Sequence, residues 1–120
     1  MHPIIRRRRA EQAGRIATAN AWAEDLASRL ELVAVVVFGS TARGDFNRWS
    51  DLDVLVVARD LPATARDRLE LLMLEAPPGL QPIGWTPEDY SDRRRRDDPI
   101  IKEAETVGVV VSGSLPRPGT

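Results

Sequence analysis

The sequence predicts a small α/β domain, a mixed twisted β-sheet covered by helices, and three observations point to it. Two short valine-rich runs, Leu32 to Phe38 and Asp51 to Val57, are bounded by turn residues and have the continuous apolar character of strands buried on both faces. Flanking them are stretches whose apolar residues recur at three- and four-residue spacing, the period of helices with one buried stripe. A chain of 120 residues is expected to form one domain, large enough to bury a core and too small for a separate substrate-binding domain. That domain is expected to span residues 1–112, with residues 113–120 a disordered tail of small and proline residues.

Taken in order, Arg6 to Leu30 reads as a first helix with a stripe of Ala13, Ile16, Ala17, Ala23, Leu26, Ala27 and Leu30. Asp25 and Arg29 fall at i and i+4 on its outer side. The run Arg6 to Arg9 reads as a solvated helix end in preference to a phosphate grip, and Trp22 as packing. After the valine pair, Pro62 introduces a helix over Ala63 to Leu74, with Ala65, Leu69, Leu72 and Met73 toward the sheet. Pro77, Pro78 and Gly79 break the chain before a third strand, Leu80 to Trp85, which Pro82 confines to a sheet edge or a bulge. Thr86, Pro87 and Asp89 are a helix start, and that helix carries Tyr90 into the run Arg93 to Arg96, read as a solvated face with local ion pairs to Asp92, Asp97 and Asp98. Asp98 and Pro99 restart a helix that Gly108 ends, and Val109 to Val111 form a short last strand.

Composition removes several classes of function. With no cysteine there is no disulfide frame, thiolate zinc site or cysteine nucleophile, and a single histidine, His2, leaves no Ser-His-Asp chemistry. A net charge of -1 gives no strong nucleic-acid signal. No apolar run is long enough to span a membrane, and the basic N-terminal cluster lacks the apolar segment of a signal peptide, so a cytoplasmic location is expected.

Chemistry concentrates between the valine runs. Gly39 and Ser40 close the first, ten residues follow, and Asp51 and Asp53 open the second. On an extended segment these acids, at i and i+2, project to the same side. Two carboxylates so placed repel one another unless a cation lies between them, and hard oxygen ligands of this kind suit magnesium together with substrate phosphates. Gly39 lets a ligand approach the backbone, and Ser40 offers a hydroxyl and an amide at the start of a helical turn through Thr41, Ala42 and Arg43.

The turn GSTARG, its spacing to Asp51 and the apolar strand opened by Asp-Leu-Asp resemble the signature of the DNA polymerase beta-like nucleotidyltransferase superfamily, in particular its minimal nucleotidyltransferases. The resemblance implies a palm-like nucleotidyltransferase fold. It also implies magnesium-dependent transfer of a nucleoside monophosphate from a nucleoside triphosphate, with ATP expected, to an acceptor hydroxyl on a protein, a nucleic acid or a small molecule. Carried over, Gly39, Ser40 and Arg43 bind the nucleotide, and Asp51 and Asp53 are the catalytic metal ligands. Arg43 either complements phosphate or pins the loop to a carboxylate. A third family carboxylate belongs on the next strand, where this chain has Gln81. The alternative implied by the resemblance is a nucleotide-binding, catalytically weak, antitoxin-like partner of a small helical protein.

Overall fold

The valine runs do not alternate because the strands they form are covered on both faces. In the computed structural model, which describes residues 1–118, strand β1 (Leu32–Phe38) pairs antiparallel with β2 (Leu52–Ala58) at the centre of a four-stranded sheet. Strand β3 (Leu80–Trp85) lies parallel to β2 at one edge, and β4 (Val109–Gly113) lies antiparallel to β1 at the other. The mixed sheet of the sequence reading is therefore present, with Pro82 on an edge strand, where a missing N–H leaves no central ladder broken.

Successive side chains sort the core into two halves. Val35, Val37, Val54 and Val56 face helix α1 (Pro3–Ala27) and Leu72 of α3 (Ala65–Met73). Ala34, Val36, Phe38, Leu55 and Val57 face α4 (Pro87–Arg95) and α5 (Pro99–Thr106) through Tyr90, Ile101 and Ala104. A five-residue helix, α2 (Gly39–Arg43), follows β1 directly and starts the connection to β2. No helix among the described residues is long and apolar enough to cross a membrane.

Boundaries move for local reasons. The first helix begins at Pro3, three residues before the expected Arg6, because His2 caps it by accepting from the Ile4 N–H and Pro3 occupies the first turn. It ends at Ala27, and its buried stripe is Ala19, Trp22, Ala23, Leu26 and, beyond the helix, Leu30. Of the expected stripe, Ala13, Ala17 and Ala27 are exposed. The third helix starts at Ala65 with Thr64 as its cap. Only Leu72 of its expected inward set is buried, while Leu69 and Met73 are 48% and 43% exposed. Its partner is the edge strand, so a narrow stripe suffices. The second strand starts at Leu52, which leaves Asp51 as the residue before it.

The arginine run after Tyr90 is paired throughout. Arg93 binds Asp98 at 2.9 Å, Arg94 binds Glu105, and Arg95 and Arg96 both reach Asp92. Leu115, beyond β4, packs on the core half that includes Tyr90 and Ile101, and the Ser114 N–H donates to the Val33 carbonyl.

One ion pair ties α3 to α4. Arg68 donates to the Pro62 carbonyl at 2.6 Å and to Asp89 Oδ2 at 2.6 Å, and Asp89 also closes the capping box by accepting from the Thr86 N–H. Burial works to raise the Asp89 carboxyl, but the bonds from Thr86 and Arg68 outweigh it and hold the group below its ordinary value. A depressed carboxylate contributes stability that is present above its unfolded value of 3.8 and is lost as the pH falls through the lower folded value. Asp89→Asn is therefore expected to lower the melting temperature at neutral pH, with the difference closing on acidification below that range. Thermal unfolding followed by circular dichroism across pH checks it, and a difference independent of pH would assign the whole effect to capping.

Candidate active site

At the end of the sheet where β1 stops and β2 starts, the backbone and a carboxylate come into contact. Phe38 pairs with Asp53, so the next residue, Gly39, turns directly over the Asp53 side chain. Gly39 has φ of 71°, in the left-handed region, and a methyl group built there would run into Asp53 Oδ2 and lie 3.2 Å from its carboxyl carbon. No other residue type fits this position without moving the acid. Asp53 points to the sheet face that α4 and α5 cover, because it shares parity with Leu55 and Val57.

Asp53 is half-buried, and its carboxyl is pushed above its ordinary value, first by burial and then by the charges of Asp51 and Glu103, with Arg43 acting in the opposite sense. Asp51 is exposed on the last loop residue. With β2 beginning at Leu52, Asp51 lies one residue before the strand and not on it as expected from the sequence, and its charge still acts on Asp53. In the parallel pairing of β2 with β3, the residue opposite Asp53 is Gln81, so the β3 position beside the acid pair carries an amide. Among the described residues no set of three acid or imidazole side chains converges on one point.

In this structure Arg43 is engaged by carboxylates. Its guanidinium donates to Asp45 Oδ2 at 3.2 Å and to Glu103 Oε1 on α5. The bond to Asp45 raises its pKa, burial opposes the rise, and the charges of Asp45 and Glu103 add to it. The arginine therefore pins the turn to two carboxylates. Ser40 is half-buried at the start of α2, whose first-turn N–H groups have no acceptors within the helix. Gly44 ends that helix with φ of 86°, and its N–H donates to the Ser40 carbonyl at 2.9 Å.

The loop between the two motifs is held by the first helix. Arg15 donates to the Ser50 carbonyl at 2.9 Å and the Asn47 carbonyl at 2.9 Å, and also reaches Thr41 Oγ1. Arg8 donates to the Phe46 carbonyl, Gln12 donates to the Thr41 carbonyl at 2.8 Å, and the buried Phe46 ring lies under both arginines. One member of the basic run thus has a structural task that the sequence reading missed. Arg8, Gln12 and Arg15 stand at spacings of four and three, so one helix face was legible, although its partner was not. Within the loop, Asn47 Oδ1 accepts from the Trp49 N–H and Ser50 Oγ accepts from the Asn47 N–H. Trp49 itself is 81% exposed beside Arg48.

A surface concavity lies at the other end of the sheet, lined by Val33, Arg59, Glu88 and Arg95 among others. It gathers no pair of same-side acids, so concavity alone does not locate the chemistry.

The chain is similar to known proteins in sequence and in fold. Residues 21–116 match the model of the nucleotidyltransferase domain family. The chain is 32% identical over 82 residues to "Putative protein adenylyltransferase MJ0141" of Methanocaldococcus jannaschii, across 68% of this chain and 80% of that protein. It is 43% identical over 42 residues to "Putative protein adenylyltransferase MJ1305" of the same organism, where the alignment spans 35% of this chain and only 29% of the relative. Among solved structures, a putative nucleotidyltransferase from Sulfolobus solfataricus superposes with a TM-score of 0.65 at 24% identity, over 86% of this chain and 84% of the other, a likeness of fold. With most of its length matched by the family model, and the glycine turn set against the acid pair, the chain belongs to the nucleotidyltransferase domain family.

Proposed function

We propose that the protein transfers a nucleoside monophosphate from a magnesium-bound nucleoside triphosphate, with ATP the expected donor, to a hydroxyl of an acceptor. A bond forms between the acceptor oxygen and the α-phosphorus, the bond from that phosphorus to the bridging oxygen of pyrophosphate breaks, and the hydroxyl proton leaves to a base. The observation that carries this reading is the approach of Gly39 to Asp53 with Asp51 alongside. The residues fit a divalent cation. Their donors are hard carboxylate oxygens, the charged form of Asp53 is disfavoured by burial and by Asp51, and the space a side chain at Gly39 would fill is kept open over the carboxylate.

In this reading Asp51 and Asp53 hold magnesium, Gly39 and Ser40 cradle the terminal phosphates, and Arg43 neutralises phosphate charge when it leaves its carboxylate partners. Bound magnesium would supply charge neutralisation at the attacking and leaving oxygens. The loop clamp from Arg8, Gln12 and Arg15 keeps the two motifs in fixed register, which is the positioning that phosphoryl transfer depends on. A protein hydroxyl is the favoured acceptor, by likeness to the two relatives described as protein adenylyltransferases. Gln81 beside Asp53 favours a second reading, in which the site binds nucleotide, turns over weakly and serves as an antitoxin-like partner of a small helical protein.

Calorimetric titration with magnesium and ATP tests the site. Asp51→Ala with Asp53→Ala is expected to abolish magnesium-dependent binding and to leave the circular dichroism spectrum unchanged, since an acid pair without its cation does not stabilise the fold. Equal binding by the double variant and the wild type, or binding indifferent to a chelator, would reject the proposal.

A further inference from the structure

The loop clamp does not use up the charge at the start of α1. Arg29, Arg43 and every arginine from Arg59 to Arg96 are ion-paired with a carboxylate. Among the described residues, Arg6, Arg7, Arg8, Arg9, Arg15 and Arg48 have no such partner. These six lie together, because Arg8 and Arg15 bind carbonyl groups of the loop from Gly44 to Ser50, and Arg48 belongs to that loop. A carbonyl accepts a hydrogen bond without cancelling the charge. The first fifteen residues hold five arginines against a single acid, Glu11, whereas the chain from Asp51 onward carries thirteen acids against nine basic residues. The net charge of -1 thus conceals a one-sided distribution.

Apolar side chains are exposed on the same surface. Ile4, one turn before Arg8 on the same helix face, is 66% exposed, and Ile5 is 50% exposed. At the other end the loop presents Trp49. Its N–H donates to Asn47 Oδ1 at 2.8 Å, and Arg15 holds the carbonyl groups of Asn47 and Ser50 on either side. The backbone is fixed, yet the ring lies in solvent with the Arg48 guanidinium 4.9 Å from its centre. Asp51 follows two residues later.

We propose that this surface docks an acidic segment of the acceptor protein, with Trp49 as the anchor nearest the acid pair. This rests on the reading of a protein acceptor given above. Charge complementarity selects the partner, since a carboxylate arriving here meets guanidinium forks that no internal acid occupies. Isoleucine and tryptophan beside the arginines give the surface the mixed character of a protein interface, in which tryptophan and arginine carry much of the binding energy. A nucleic-acid strand fits less well. It calls for a long basic track, whereas Ile4 to Arg15 spans about 16 Å of helix and the chain beyond the loop is acidic. Docking on α1 also seats the acceptor on the element that fixes the loop before Asp51, so acceptor and acid pair share one support.

The probe is a fluorescently labelled random copolymer of glutamate and tyrosine, which offers carboxylates and hydroxyls together, titrated with the full chain and followed by anisotropy at low salt. A lysine–tyrosine copolymer is the charge control. Arg7→Glu with Arg9→Glu, and separately Trp49→Ala, are each expected to weaken binding of the acidic copolymer by about tenfold or more and to leave magnesium-dependent ATP binding unchanged. Three results would overturn the proposal. They are equal binding of the two copolymers, tighter binding of a single-stranded oligonucleotide or of phosphatidylserine vesicles than of the acidic copolymer, and loss of ATP binding in Trp49→Ala, which would assign the ring to the nucleotide. Asp51→Ala with Asp53→Ala separates this inference from the functional reading. If ATP binding ignores the acid pair while copolymer binding still needs Arg7, Arg9 and Trp49, only the functional reading fails; if ATP binding needs the acids while copolymer binding ignores those three residues, only the docking surface fails.

Discussion

Everything at the candidate site depends on the close approach of the Gly39 backbone to the Asp53 carboxylate. That approach is set by the last pair of the β1–β2 ladder, Phe38 with Asp53, and it survives because position 39 has no side chain and a positive φ. The pairing is in turn fixed by a core that leaves no freedom of register. A slip of one residue would carry Val35, Val37, Val54 and Val56 to the opposite face, away from α1, and would exchange the two halves of the core. Burial of apolar surface far from the site thus determines where a carboxylate meets a glycine.

The acid pair is a cost that the fold carries. Asp53 is pushed toward its protonated form by burial and by Asp51, so the isolated fold is not organised to stabilise its charge. Rigidity around it comes from elsewhere. Arg8, Gln12 and Arg15 hold the intervening loop by its carbonyl groups, and Arg43 joins that loop to α5. A site that must hold repelling groups close together needs its scaffold fixed by contacts that do not involve those groups, and the first helix provides them.

Much of this was legible in the sequence because the signals were local. Each valine run marks a strand buried on both faces, Pro82 marks an edge, and Thr86 with Asp89 marks a capping box that the structure contains. The glycine-serine turn and the Asp-Leu-Asp strand lie within one connection, so the family could be read from them directly. What stayed hidden spans the chain. Arg15 meets Thr41 across 26 residues and Arg43 meets Glu103 across 60, separations at which helical or strand periodicity says nothing about partners. The width of a buried stripe was equally invisible. Leu69 and Met73 have the right spacing for burial, but the edge strand beneath α3 covers little more than Leu72.

Asp53 offers the most direct test of the central claim, that the acid pair is a strain on the fold which bound metal and nucleotide relieve. Because its folded value is raised, stability is lost as the pH rises from 3.8 through that raised value, and the ionised group remains a cost at neutral pH. The measurement is the melting temperature of the wild type and Asp53→Asn at neutral pH, with a chelator and then with magnesium and ATP. The account expects the variant to melt higher in chelator and the order to reverse when magnesium and ATP are added, since ligand binding to the native state stabilises only the protein that retains the site. A variant that melts lower in chelator, or an order that magnesium and ATP leave unchanged, would contradict it.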